Sequence, residues 1–233
     1  MTTLAGLLDR VAFPARLTAH VVEPAADPRI HGYAVEADLA RNVGLLDVCW
    51  LALIGELPTP TEREALTAAL ILLAPLHVGE APAHAGVLAR VAGAPDEVVP
   101  AIAVVALGQR IAAELRGLAA LFAWLREPAG PPPAPAVLAD PTADQRERHH
   151  RLAAASARWF GPDRALPVDP VLTREATAYA LLHRLGVGDP LRLQAFATWA
   201  RLPVVLAEAA HAVPGAVTDY ASDLPPYRYV EDP

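Results

Sequence analysis

Alanine and leucine recur at three- and four-residue steps through most of this 233-residue chain, and no segment alternates convincingly between apolar and polar residues. That spacing gathers the apolar side chains on one face of a helix, so the chain is expected to be all-α. After a Gly32-Tyr33 turn the pattern predicts a short helix over 35–42 and a second, mostly buried one over 44–54. Thr59 or Thr61 can cap a third helix reaching about residue 76, with Glu62 and Glu64 in its first turn, where the positive end of the helix dipole favours acids. Further helices are expected over 82–91, 96–126, 142–160, 173–185 with Gly186 as its cap, and 190–211, the last kinked or restarted at Pro203. Residues 128–135 read Pro-Ala-Gly-Pro-Pro-Pro-Ala-Pro, which forbids helix, favours extended polyproline II and divides the chain. The aromatic, proline-rich tail over 214–233 is expected to wrap a surface.

Composition narrows the function classes. A chain of this length buries roughly 70% or more of the surface its unfolded form exposes, so no staple is needed. Hydrophobic residues make up 54% of the chain and the mean hydropathy is +0.28, but charge or proline interrupts each apolar run. The runs fall short of the roughly 20 uninterrupted residues of a bilayer span, so a soluble protein without a membrane partner is expected. Residues 1–24 lack a long apolar stretch and a small-residue cleavage pattern, which makes the cytoplasm the expected location. Cys49 is the single cysteine and reads as core filler, so no disulfide framework forms within one chain and no metal site is assigned. The formal charge is −7 and all 19 basic residues are arginines without a clustered face, a poor match to nucleic acid. His149-His150 reads as a solvated helix face, because adjacent helical residues point about 100° apart and cannot easily share a ligand. Gly32 and Tyr33 read as a tight turn and its anchor.

Between Arg29 and Arg90 three landmarks follow in order: the Gly32-Tyr33 turn, Gly55-Glu56-Leu57-Pro58-Thr59 at the end of an apolar helix, and His77 at the end of the next. In order and spacing they resemble the N-terminal half of the citrate synthase family. The resemblance extends over 29–126 and, more thinly, over 174–232, including Arg201-Leu202-Pro203 about fifteen residues beyond Gly186 and a terminal Tyr229-Val230. It implies an all-helical fold with a large domain, 1–127 and 186–233, a reduced small domain, 128–185, and a dimer formed through the large domain.

The same resemblance assigns site residues. His77 stands where the family hydrogen-bonds a keto acid; by itself it reads first as a histidine capping a helix C-terminus, and the resemblance is what points it to the pocket. Arg201 resembles the arginine that grips a substrate carboxylate through two parallel hydrogen bonds, although a single arginine more often pairs with an acidic neighbour. Glu175 falls where the family has its enolising aspartate, so it is the candidate catalytic base; alternatively it is a first-turn glutamate serving helix amides.

Two departures from the family remove chemistry. Ile111-Ala112-Ala113 stands in place of a catalytic His-Gly-Gly, and loss of one such donor costs roughly 100- to 1,000-fold. The second histidine segment is replaced by the proline-rich stretch, of which only Asp140-Pro141 keeps the family pattern. Ordinary citrate synthesis should therefore be slower by about 10⁴ or more. Two readings stay open. One is an enzyme with altered acyl-transfer or lyase chemistry, binding a small carboxylate and a coenzyme A thioester as substrate, with no permanently held cofactor. The other is a non-catalytic pseudoenzyme that binds or scaffolds as a homodimer, or as the heterodimer partner of a complete paralogue.

Overall fold

The computed structural model describes residues 18–128, 130–213 and 215, and within them the chain is predominantly helical, as the periodicity predicts. Contacts divide the chain into two compact units that meet between Pro58 and Thr59.

The first unit contains the strands that periodicity did not reveal. Strands β1 (Val22–Glu23), β2 (Arg29–Ile30) and β3 (Tyr33–Ala34) pair antiparallel in that order, Val22 opposite Ile30 and Ile30 opposite Tyr33. Each is two residues long, too short to show alternation. His31 and Gly32 join β2 to β3 with φ of 46° and 87°, the left-handed pair that matches the twist of a two-residue hairpin. Tyr33 does not anchor this turn by burial, because it is 38% exposed; Ala34 is the buried member of the pair. A π-helical turn, Val35–Leu39, leads into α1 (Ala40–Asn42). Helix α2 (Leu45–Ile54) starts where the Gly44 amide donates to Asp47 Oδ2 at 3.0 Å and stops at Gly55, φ 102°. Cys49 on α2 is half-buried, and burial raises its thiol pKa, which keeps it protonated and unreactive.

The second unit begins with α3 (Pro60–Leu73), closed by a reciprocal cap in which Thr59 and Glu62 satisfy each other's amides. It continues with α4 (Ala81–Val91), α5 (Val98–Gly117), α6 (Ala119–Arg126), α7 (Ala143–Phe160), α8 (Arg174–Arg184) and α9 (Pro190–His211). The single helix expected over 96–126 is two, because Leu118 turns out of the helical region (φ −96°, ψ 10°) directly after Gly117. Helix α9 runs through Pro203 without restarting, held on either side of it by packing against α3, α4 and α5. Small residues bring α4, α5 and α9 together: a Cβ on Gly86 would sit 3.4 Å from the Ala209 methyl and 3.6 Å from that of Ala103.

The proline-rich stretch is tied at its end to the segment that precedes α8. Its end forms a 3₁₀ turn, Ala134–Ala136, in which Ala136 is fully buried and its carbonyl accepts the Thr173 amide at 2.9 Å. Leu138 donates to the Val171 carbonyl at 2.9 Å, and α7 and α8 both pack on α3. These contacts lie within the second compact unit, which begins at Thr59. Of the proline-rich tail only Gly215 is described, its amide donating to the Val91 carbonyl; Tyr229-Val230 lies outside the described residues.

Helix α5 is by length and composition apolar enough to cross a membrane, despite Pro100 within it and the charged Arg110 and Glu114. It packs against α4, α6 and α9, and its apolar character is shared between those contacts and an exposed stripe.

The His149-His150 pair is not a uniformly solvated face. The 100° step between neighbours turns His149 inward, where it is 5% exposed and its Nε2 lies 2.8 Å from the Pro167 carbonyl, while His150 stays in solvent. Burial lowers the His149 pKa below its ordinary value, against smaller raising effects of the Pro167 carbonyl and Asp169. A base depressed on folding stabilises the native state above its unfolded pKa of about 6.5, and that contribution is lost as pH falls through the folded value. Thermal melts at pH 7.5 and 5 should show this loss, and His149→Gln should remove the histidine's share of it. Identical pH dependence in the variant would refute the role given to His149.

Candidate functional site

The candidate site lies where α3 ends. Helices α3 and α8 run antiparallel, so the first residues of α8 meet the segment that leaves α3 towards His77. Arg174 donates to the Pro75 carbonyl at 3.4 Å, and Arg201, from α9, donates through Nε to the Leu73 carbonyl at 2.9 Å. Two guanidinium groups thus satisfy carbonyls that the end of α3 leaves without helical partners.

Arg201 is only 4% exposed at its side chain, and both arms of its fork are engaged. Nη1 donates to Glu114 Oε2 at 2.9 Å and Nη2 to Glu114 Oε1 at 3.0 Å, a parallel bidentate pair. Burial works to lower the Arg201 pKa, but the Glu114 carboxylate outweighs it and the net direction is upward. Tyr179 is fully buried beside the pair. Burial, then the negative charge of Glu114, raises its phenol pKa far above the ordinary value. Its hydroxyl is near enough to feel the carboxylate, yet forms no well-directed hydrogen bond.

Glu175 belongs to the same cluster. Its charge acts on both Arg201 and Tyr179, while its Oε1 is paired with Arg174 Nη2 at 2.8 Å. His77 is exposed on the segment those arginines hold, and its amide donates to Glu80 Oε1 at 3.1 Å. Glu80 in turn pairs through Oε2 with Arg110 at 3.1 Å. Glu175 and Arg201 are therefore brought together, and His77 heads the loop that Arg174 and Arg201 tether. The cluster of Arg110, Arg174, Arg201, Glu80, Glu114 and Glu175 carries three charges of each sign, so it offers no net positive field to draw in a dicarboxylate.

Sequence reasoning missed Glu114 and Tyr179. The signals were present: Glu114 follows Ile111-Ala112-Ala113 and stands four residues after Arg110, on the same helix face, and Tyr179 stands four after Glu175. Ile111 is fully buried and faces the core. Ala112 instead lines a cavity of about 570 Å³ with Leu115, Arg116, Phe122, Arg126 and Leu191. A second cavity of about 470 Å³ lies between the start of α3 and the ends of α7 and α8. Neither of these two is lined by His77, Glu175 or Arg201. Among the described residues no group of three or more His, Cys, Asp or Glu side chains could hold a metal ion.

No family model matches the chain, and no curated protein does. Among solved structures the chain is similar to the citryl-CoA lyase from Hydrogenobacter thermophilus, with a TM-score of 0.64 and 17% identity, covering 93% of this chain and 95% of that one. At that identity the likeness is one of fold: the chain has an all-α, citrate synthase-like architecture.

Proposed function

We propose that this protein is a citrate synthase-like module that keeps the fold without the condensation chemistry and works as a binding or assembly partner. The observation that carries this reading is the engagement of Arg201 by Glu114. A substrate carboxylate could take the guanidinium fork only by displacing an internal carboxylate that is 10% exposed. The displaced Glu114 would then be buried without a partner, a cost that ordinary carboxylate affinity does not cover. Glu175 is likewise held by Arg174, and Ile111 offers no donor to a developing enolate.

A second reading retains a reaction. Glu175 lies within electrostatic reach of Arg201 and Tyr179, at the end of α3 from which the His77 loop leaves. In that reading Glu175 acts as base towards an acyl thioester of coenzyme A, while His77 and Arg201 hold a small carboxylate, and 128–185 serves as the reduced small domain. Release of free thiol from acetyl-CoA in the presence of oxaloacetate separates the two readings.

Assembly is the positive content of the first reading. Val98, Ala101, Ile102 and Val105 follow one another at i, i+3, i+4 and i+7 along α5 and are all exposed, forming a continuous apolar stripe. A second copy meeting this stripe across a two-fold axis would bury it. Light scattering should report a dimer mass, and Val105→Glu, at a position 64% exposed, should yield monomer with an unchanged helical spectrum. A monomeric wild type would remove the homodimer from the reading.

A further inference from the structure

The cavity of about 470 Å³ is at the opposite end of the α3–α8 pair from the Arg201 cluster. There the start of α3 supplies Thr59, Thr61 and Glu62, the end of α7 supplies Trp159, and the end of α8 supplies Arg184, with Arg164 contributed by the turn after α7. Its volume lies in the ordinary range for small-molecule sites.

Two arginines and one acid line it. Arg164 Nη2 donates to the Arg184 carbonyl at 2.6 Å, which holds the two arginines at one wall. Neither has a carboxylate ion pair among the described residues. The Arg184 Nε is buried without a hydrogen-bond partner among the described residues. Burial and then the Arg164 charge lower the Arg184 pKa, and after burial the charges of Arg184, Arg126 and Arg164 lower that of His183. A protein of net charge −7 thus places at this concavity two arginines that have no carboxylate ion pair among the described residues. Glu62 is the only acid in the lining among the described residues, and its Oε2 is occupied by the amide and hydroxyl of Thr59, both at 2.8 Å. The first turn of α3 adds the positive end of a helix, with the Thr61 amide outside the intrahelical pattern. Beside the arginines the Trp159 indole is fixed by a 3.0 Å hydrogen bond from its Nε1 to Glu64, presenting a rigid aromatic surface.

We propose that this cavity binds a nucleoside phosphate, its phosphate oxygens on Arg164 and Arg184 and its base against Trp159. The site is separate from the Arg201 cluster, so its fate is independent of whether that cluster supports a reaction.

Calorimetric titration of the full-length protein with ADP, pyrophosphate and adenosine tests the assignment. ADP is expected to bind, pyrophosphate to bind more weakly and adenosine to give no heat. Arg184→Gln and Arg164→Gln should each weaken ADP about tenfold or more, the effect of one charge-assisted contact. Arg116→Gln, in the other cavity, should leave ADP binding unchanged. Trp159→Phe should weaken ADP but not pyrophosphate. Because Arg164 also holds the end of α8, Arg184→Lys serves as the variant that keeps charge and packing while losing the guanidinium fork, and it too should weaken ADP. Absence of ADP binding, or ADP binding indifferent to both Arg184 variants, would overturn the proposal. Pyrophosphate binding without ADP binding would equally overturn the nucleotide assignment.

Discussion

Arg201→Ala is expected to lower the free energy of unfolding by about 3–5 kcal/mol, the cost of leaving a buried charge without its partner. Truncation strands the Glu114 carboxylate, whose side chain is 10% exposed, and removes the donor to the Leu73 carbonyl at the end of α3. Whole domains are stable by about 5–15 kcal/mol, so the variant should sit near its unfolding threshold. Arg201→Lys should also lose stability, because an ammonium cannot make two parallel bonds to the carboxylate and a third to a carbonyl at once. Removing both charges is a different experiment. Arg201→Met with Glu114→Leu deletes the uncompensated ion along with the pair, and should recover most of the loss. Urea unfolding followed by circular dichroism measures all three. A substrate-gripping Arg201 predicts the opposite pattern, with the folded state little affected by Arg201→Ala and ligand binding abolished. A stability loss below about 1 kcal/mol would support that pattern and sink the structural role of the pair.

The second large effect concerns rate. Thiol release from acetyl-CoA with oxaloacetate should lie about 10⁴-fold or more below that of a site carrying both donor histidines. Ile111→His should not restore it. Residue 111 is fully buried against the core, so an imidazole there would be desolvated among apolar side chains rather than aimed at a thioester oxygen. Glu175→Gln should leave the background unchanged, since Glu175 is committed to Arg174 at 2.8 Å. If thiol appears well above background and Glu175→Gln stops it, the enzymatic reading prevails and the assembly reading fails.

The helices were largely legible from residue order. Thr59 and Thr142 each cap the helix predicted to follow them, and Gly55 and Gly186 take the left-handed conformations that end theirs. The break at Leu118 was only faintly signalled, because an isolated glycine such as Gly117 is tolerated inside a helical pattern and does not by itself fix a break. His149 was misread for a related reason. Spacing says that neighbours diverge, but which of the two points inward depends on the Pro167 carbonyl, which lies 18 residues away. The candidate site was half legible: the sequence pointed to Glu175 and Arg201, and the structure brings their charges within reach of one another. It could not reveal that Arg201 already had a carboxylate.

Helix identity, caps and the all-α class were determined by the sequence alone, because periodicity and capping act within a few residues and need no distant partner. The pairing of charges was decided by tertiary structure. Glu114 and Arg201 are 87 residues apart in the chain, and only the packing of α5 against α9 closes the fork on an internal acid. The same holds for Arg164 and Arg184, like charges drawn from a turn and a helix end and left without a carboxylate among the described residues. A residue's type states what it can bind; burial and the neighbour that arrives first decide whether any of that capacity remains for a ligand.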